Sequence, residues 1–257
     1  MADECNKSII LYPNMSVSKA NIKLVRSLQQ KKFRDERGLF VAEGRKCVEE
    51  LAKAFEQVML FVEGENATAQ EIEQMSSLRT PQGVIGVFRK REVEDSTSFG
   101  LVVALDGVQD PGNLGTIIRT CDWFGVRLVC SLDTADCYNP KVVQATMGAL
   151  ARVQVEYVDL VSWLEEIKNL NSQPSTLPIY GTLLNGRNLY ENGAIAERQQ
   201  GVIIMGNEGN GISEAVRRHI THPLLIPPYP ADAETSESLN VAIATAVTLA
   251  EFRRGVR

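Results

Sequence analysis

Apolar and polar positions alternate along this chain with two different rhythms. Residues 18–30 set Ile22, Val25 and Leu28 at helical spacing, and "LFVAEG" reads as a short strand ending in a turn. "CVEELAKAF" returns to the helical period; the apolar run "VMLFVEG" and, beyond a further helix-like stretch, "QGVIGVFRK" predict two more strands. These segments make a small α/β unit of about 90 residues. The segment "RKREVEDSTSFG" is charged, then small and polar, with little apolar content, which predicts a boundary. The expected division is an N-terminal domain over 1–90, a linker over 91–99 and a second domain over 100–257.

From Leu101 strand and helix patterns take turns. "LVVAL", "RLVCS", "RVQVEYV", "LPIYGTLL", "GVIIMG" and "PLLIP" read as strands, separated by helices through "LGTIIRTCDWFG", "PKVVQATMGAL", "LVSWLEEIKNL" and "ISEAVRRHI" and followed by "SLNVAIATAVTLAEF". Continuous apolar strands in such alternation predict a parallel sheet covered by helices on both faces. Ligands of these sheets sit beyond the carboxyl ends of the strands, so the turns after "LVVAL", "LPIYG" and "GVIIMG" are where a site is sought.

The composition changes this picture in few respects. A chain of 257 residues, 44% hydrophobic and 23% charged, suits a soluble protein of two domains. No run approaches the roughly 20 apolar residues of a membrane span, and "MADECNKSIILYP" lacks the apolar stretch of a signal peptide, so a cytoplasmic location is expected. Cys5, Cys47, Cys121, Cys130 and Cys137 show no C-x-x-C spacing, and His219 and His222 in "HITH" have no acidic or cysteine partner nearby; neither a disulfide framework nor a metal site is expected.

Charge is more informative in its distribution than in its sum. A net charge of −5 argues against nucleic acid. Yet between Ser16 and Arg37 seven basic residues, Lys19, Lys23, Arg26, Lys31, Lys32, Arg34 and Arg37, face only Asp35 and Glu36. This segment is either a solvated helix face or a surface for a polyanion.

Three stretches carry candidate chemistry. "QDPGNLGTIIRT", residues 109–120, has no lysine for a phosphate loop, and "GNLG" does not satisfy G-x-G-x-x-G. Asn113 suits the cap of a helix beginning at Leu114. Leu114, Ile117, Ile118, Cys121 and Phe124 form one stripe of that helix, leaving Arg119 on the far side, which by itself reads as a solvent-facing arginine. "IIMGNEGNGIS", residues 203–213, feeds a strand into three closely spaced glycines around Glu208, allowing positive φ or a close ligand approach. "TSESLNVAIATAVTLAEF", residues 235–252, runs into a helix apolar nearly all round. Its start would leave unpaired N–H groups beside Ser238, a natural cap, and Asn240, which needs a partner inside a buried helix.

In this order, "DPGNLGTIIRT", "MGNEGNGIS" and "IPP" followed by "SLNVAIATAVTLAEF" resemble the SpoU (TrmH) family of RNA ribose 2′-O-methyltransferases, within the SPOUT superfamily, over essentially all of residues 100–257. The N-terminal part, with "NIKLVRSLQQKKFRDERGLFVAEG", looks like the accessory RNA-binding domain often fused to it, similar to certain ribosomal proteins. The resemblance implies a C-terminal parallel-sheet α/β domain with a deep trefoil knot, S-adenosylmethionine as methyl donor, and a homodimer with its active site at the subunit interface. The residues matching the catalytic set are Asn113, Arg119, Glu208, Ser238 and Asn240. Those matching the cofactor-lining backbone are Gly206, Ile226 and Leu239, with Gly181, Thr182 and Leu183 of "YGTL" as additions. The resemblance also favours the polyanion reading of Lys23, Arg26, Lys31, Lys32, Arg34 and Arg37. It implies RNA as partner, ribosomal RNA ahead of transfer RNA, with a non-catalytic RNA-binding protein as the alternative of another class; a methyltransferase of the other common fold would require a G-x-G-type loop that "LDGVQDPGN" does not provide. One departure is the longer, more acidic "YPADAETSE" before "SLN", which brings Asp232, Glu234 and Glu237 close to the expected site.

Overall fold

A computed structural model of the chain describes residues 17–91, 100–170, 177–230 and 238–254. Most of the linker 91–99, Cys5 and the acidic residues Asp232, Glu234 and Glu237 lie outside the described residues. In chain order the elements are α1 (Lys19–Ser27), α2 (Lys31–Arg37), β1 (Leu39–Glu43), α3 (Arg45–Ala52), β2 (Gln57–Val62), α4 (Ala69–Met75), β3 (Val84–Arg89), β4 (Leu101–Asp106), α5 (Pro111–Phe124), β5 (Arg127–Ser131), α6 (Pro140–Thr146), a 3₁₀ turn (Ala149–Ala151), β6 (Val155–Val158), α7 (Leu160–Leu170), β7 (Ile179–Asn188), β8 (Gly201–Gly206), α8 (Glu214–Arg217), β9 (His222–Leu225) and α9 (Val241–Arg253). They divide into two compact units, one of residues 1–92 with 138–152, the other of 93–137 with 153–257.

The first unit is built on a three-stranded antiparallel sheet in the order β1-β3-β2. One face buries Val41, Phe61, Ile85 and Val87 against Val25 of α1, Leu28 at its carboxyl cap, and Ile72 and Met75 of α4. An aromatic cluster lies at Phe40, whose ring stands 5.1 Å from Phe55, 5.6 Å from Phe88 and 4.8 Å from Tyr138. That cluster explains why 138–152, expected in the second domain, belongs here. Tyr138 packs into it, Arg152 donates to Glu50 at 2.8 Å, and a Cβ on Gly148 would stand 2.6 Å from the Glu50 Cβ. The spacing of "PKVVQATMGAL" predicts a helix but carries no sign of which core receives it.

The second unit holds a six-stranded sheet in the order β6-β5-β4-β8-β7-β9, every pair parallel. Its central strands are buried on both faces, as a parallel sheet between helices requires. Val102, Ala104, Val202 and Ile204 pack with Leu160, Leu164 and Ile167 of α7 and Val216 of α8. The alternate positions Val103, Leu105, Ile203 and Met205 point to the other face and are equally buried. There α5 packs on β5, α9 on β8, and α5 and α9 on each other. β7 meets β9 twice: Thr182 and Arg187 both pair with Leu224. The close passage requires a glycine, since a Cβ on Gly186 would stand 2.3 Å from the Leu224 carbonyl carbon.

Candidate functional site

The turns after β4 and β8 are tied to each other by their own polar groups. Gly107, at φ +72, donates its N–H to Ser131 Oγ at 2.8 Å and accepts from Asn207 Nδ2 at 2.6 Å. Asn207 Oδ1 in turn accepts from the N–H groups of Gly209 and Asn210 at 2.9 and 3.0 Å, closing the turn that presents Glu208. Asp106 accepts from Ser213 N–H at 2.7 Å, which fixes the start of α8. Asp106, Ser131 and Asn207 therefore frame the site. Sequence reasoning missed all three; Asn207 in "MGNEGNG" was the available signal, because a turn this rich in glycine needs an internal hydrogen-bond anchor.

The cap of α5 is Asp110, with Pro111 in the first helical position, and this corrects the expectation for Asn113. Asp110 accepts from Asn113 N–H at 2.8 Å, so the Asn113 side chain has no capping role. It lies one turn into the helix and is only half-buried. Asp-Pro is a strong helix-start signal, since proline lacks the N–H that a first helical residue cannot pair and an aspartate oxygen takes up the next free amide.

A second correction concerns the last helix. Asn240 is its cap, not a residue of its interior, and its Oδ1 accepts from Ala242 and Ile243 N–H groups at 3.0 and 3.3 Å. Ser238 is exposed, two residues earlier. Because the Asn240 oxygen faces backbone donors, its Nδ2 must point the other way, and it donates to Asn113 Oδ1 at 2.9 Å. Asn113 Nδ2 must then face an acceptor, which is Glu208 Oε1 at 3.0 Å. Backbone N–H groups of α9 thus set the orientation of two carboxamides in series, the second of which donates to the Glu208 carboxylate.

Arg119 follows Asn113 by six residues, about 9 Å along the helix axis. It is exposed and has no hydrogen bond or ion pair among the described residues. The structure brings Asn113, Glu208 and Asn240 into one hydrogen-bonded row and leaves Arg119 as an uncommitted guanidinium on the same helix.

Five of the six positions matched to cofactor-lining backbone fall on parallel strands or just beyond them, and the sixth lies at the start of α9. Gly206 ends β8, Gly181, Thr182 and Leu183 lie on β7, Ile226 follows β9, and Leu239 precedes the α9 cap. Two of the glycines answer to the chain's own packing: a Cβ on Gly206 would stand 2.3 Å from the Gly211 carbonyl carbon, and one on Gly181 would stand 2.3 Å from Ile220 Cδ1. None of the six is charged. Leu183 and Ile226 are half-buried and Leu239 is 48% exposed, so the set combines aliphatic side chains with backbone groups. That fits an uncharged purine nucleoside better than a polyphosphate.

In the first unit Lys23, Arg26, Lys32 and Arg37 are exposed, and Lys31, also exposed, donates to Asp35 at 2.7 Å. Arg34 does not fit the expectation of an RNA contact. It is 1% exposed and donates to the carbonyls of Leu28 and Gln29 at 2.9 and 2.8 Å, securing the end of α1. Cys47, Cys121, Cys130 and Cys137 are buried; burial pushes the Cys47 thiol up to about 11 and raises Cys121 and Cys130 as well, which suits none of these three to nucleophilic work. Among the described residues no group of three or more His, Cys, Asp or Glu side chains is placed to hold a metal ion, and no helix is long and apolar enough to cross a membrane.

Comparison with known proteins agrees with this arrangement. Residues 100–250 match the model of the SpoU rRNA Methylase family, and residues 19–71 match the MRM3-like substrate binding domain. The Bacillus subtilis protein named 23S rRNA (guanosine(2553)-2'-O)-methyltransferase RlmP is 30% identical over 254 residues, covering 93% of this chain and 98% of its own. Among solved structures, a putative RNA methyltransferase of the TrmH family from Porphyromonas gingivalis superposes with a TM-score of 0.82 at 36% identity, covering 93% of this chain and 99% of that one. An AdoMet-bound rRNA methyltransferase from Sinorhizobium meliloti does so with a TM-score of 0.77 at 29% identity, covering 93% and 97%. The chain belongs to the SpoU rRNA methylase family.

Proposed function

We propose that this protein is an S-adenosylmethionine-dependent methyltransferase acting on the ribose 2′-hydroxyl of a nucleotide in ribosomal RNA. The observation that carries the reading is the hydrogen-bonded row Asn240, Asn113 and Glu208 with the unpaired Arg119 on the same helix. S-adenosylmethionine supplies the electrophilic methyl group when bound; Gly206, Ile226, Leu239 and the Gly181–Leu183 segment are the residues that would hold it. The weakly acidic 2′-hydroxyl must be positioned and its developing negative charge stabilised, and these tasks fall to the protein. The Asn113 carboxamide, held at both ends, is a pre-oriented polar group for the ribose. The part assigned to Arg119 is to hold the adjacent phosphate and the developing oxyanion, to which its guanidinium presents a planar fork of N–H donors. The substrate class follows from the full-length similarity to a named 23S rRNA methyltransferase and from the substrate-binding domain model over 19–71.

The same reading assigns residues 1–90 to RNA binding, 91–99 to the linker and 100–257 to methyl transfer, with 138–152 belonging to the first unit. It includes a trefoil knot near the carboxyl end, supported by the tight passage of β7 over β9 at Gly186. It also includes a homodimer, supported by the exposed apolar side chains Trp123 on α5 and Ile243 on α9, and work in the cytoplasm, as befits ribosomal RNA. The test is methyl transfer from labelled S-adenosylmethionine to ribosomal RNA taken from cells lacking the protein, with the modified ribose then mapped. Incorporation at one 2′-oxygen is expected. A chain that binds the donor yet labels neither ribosomal nor transfer RNA is not a methyltransferase of RNA.

A further inference from the structure

The three-stranded sheet of the first unit has two ends, and they carry different kinds of basic surface. At one end, where α2 enters β1 and β3 leaves, several of the cations are committed, although Lys32 and Arg37 stay exposed. Lys31 and Lys90 both donate to Asp35, Arg89 pairs with Glu56 at 2.8 Å, and Arg34 is turned inward. At the other end β1 leaves through Glu43 and Gly44 into α3, and β3 enters from the loop 76–83.

A buried carboxylate joins that loop to the strand. Glu43 is 5% exposed and accepts from Ser76 Oγ at 2.5 Å, Ser77 N–H at 2.7 Å and Ser77 Oγ at 2.6 Å. Gly44, at φ +89, donates its N–H to the Val84 carbonyl at 2.9 Å and is covered by Gln82, whose Oε1 would stand 2.0 Å from a Cβ there. The junction 43–46 and the loop 76–83 are therefore one ordered surface. It carries Arg45, Lys46 and Arg79, all exposed, and none has an ion pair or hydrogen bond among the described residues. Gly44 caps α3 with no side-chain oxygen, and the first turn of α3 holds no acid. The nearest acids do not pair with them: Glu49 lies one turn along α3 from Arg45, and Glu63, past β2, rests against Gly83 at the end of the loop, its Oε2 3.3 Å from the place of a Cβ there.

Exposed cations gathered on one anchored surface repel one another, and a phosphate brought between them relieves that repulsion. Residues 17–91 carry fourteen basic residues against ten acids in a chain of net charge −5, so this unit is where a polyanion would be attracted. We propose that Arg45, Lys46 and Arg79, presented by the Glu43-anchored loop, contact the phosphate backbone of the RNA substrate. This inference rests on RNA being the substrate. It adds to the exposed lysines of α1 and α2 a second contact surface at the far end of the sheet.

The test uses the full chain and measures its dissociation constant for a 23S ribosomal RNA transcript across a series of potassium chloride concentrations. Arg45→Ala/Lys46→Ala/Arg79→Ala is expected to weaken binding at least tenfold near physiological salt. It should also lower the slope of log Kd against log salt by about two, at roughly 0.7 for each phosphate that is no longer neutralised. Lys23→Ala/Arg26→Ala/Lys32→Ala is expected to weaken binding less. Should the first triple variant melt early, the single variants Arg45→Ala and Arg79→Ala take its place, each expected to lower the slope by roughly 0.7. Wild-type affinity and slope in a folded 45/46/79 variant overturn the proposal, and so does loss confined to the α1–α2 variant. Because RNA binding is read without methyl transfer, a wild-type chain that binds RNA through these residues but transfers no methyl group would refute the enzymatic reading alone.

Discussion

At the scale of single residues, the site separates groups that hold each other from a group that holds nothing. Asn113 is engaged at its backbone by Asp110 and at its side chain by Asn240 and Glu208. Arg119 is exposed and uncommitted, so its removal breaks no bond of the folded state, and surface changes of this kind stay within about 0.5 kcal/mol of neutral. Arg119→Ala is therefore expected to melt like the wild type while methyl transfer falls by a factor on the order of 10² to 10³, the usual loss when a transition-state donor is removed. Wild-type turnover in this variant would refute the role assigned to the arginine. Asn113→Ala should behave otherwise, because it strands the Asn240 donor and the Glu208 acceptor together.

At the scale of elements, the amino end of α9 combines a cap with a relay. Asn240 Oδ1 serves the helix and its Nδ2 serves Asn113, and the two duties can be separated. Asn240→Asp keeps an oxygen for the Ala242 and Ile243 amides but loses the donor, so helix stability should survive while activity drops. Asn240→Ala loses both and should cost in addition about 1 kcal/mol of stability, read by thermal melting. The other end of α9 is held by buried Glu251. Arg254 grips its carboxylate with three bonds of 2.8 to 3.0 Å and Arg198 adds a fourth at 3.4 Å, which holds Glu251 below the usual carboxylate range. A lowered folded-state pKa adds stability that is complete above the unfolded value of about 4.3 and is lost as pH falls through the folded value. The difference in melting temperature between wild type and Glu251→Gln should thus be largest near neutrality and close in acid; a gap independent of pH would contradict the ion pair. The alternation that predicted the parallel sheet was legible because each strand reads as one continuous apolar run. Asn113 and Asn240 were legible as polar groups at helix starts, but not in their roles, because each role depends on which other loop end lies across from it. Arg34 and the 138–152 segment were not legible at all. Helical spacing cannot reveal that an arginine will turn toward the carbonyls of a preceding helix, or that Tyr138 will find Phe40 about a hundred residues away.

At the scale of the whole molecule, the exposed large apolar side chains raise the question of assembly. Trp123 on α5 is 85% exposed and Ile243 on α9 is 52% exposed. These two helices are tied together at both ends, by Asn240 to Asn113 at 2.9 Å and by Arg253 Nε to the Phe124 carbonyl at 3.1 Å. The homodimer proposed above would cover apolar groups of this size on these helices. The candidate catalytic row stands on the same pair of helices, so a partner subunit seated there would border the site and order its surroundings. A single charge placed in that interface should then act on assembly and activity together. Ile243→Asp is expected to leave the fold intact, since this side chain is half out of the core, and to sediment as a monomer with methyl transfer reduced at least tenfold. Wild-type specific activity should likewise fall on dilution, with the same midpoint as dissociation. A variant that remains dimeric and active would place the subunit interface elsewhere. One that is monomeric and fully active would show that a single subunit holds everything the reaction needs.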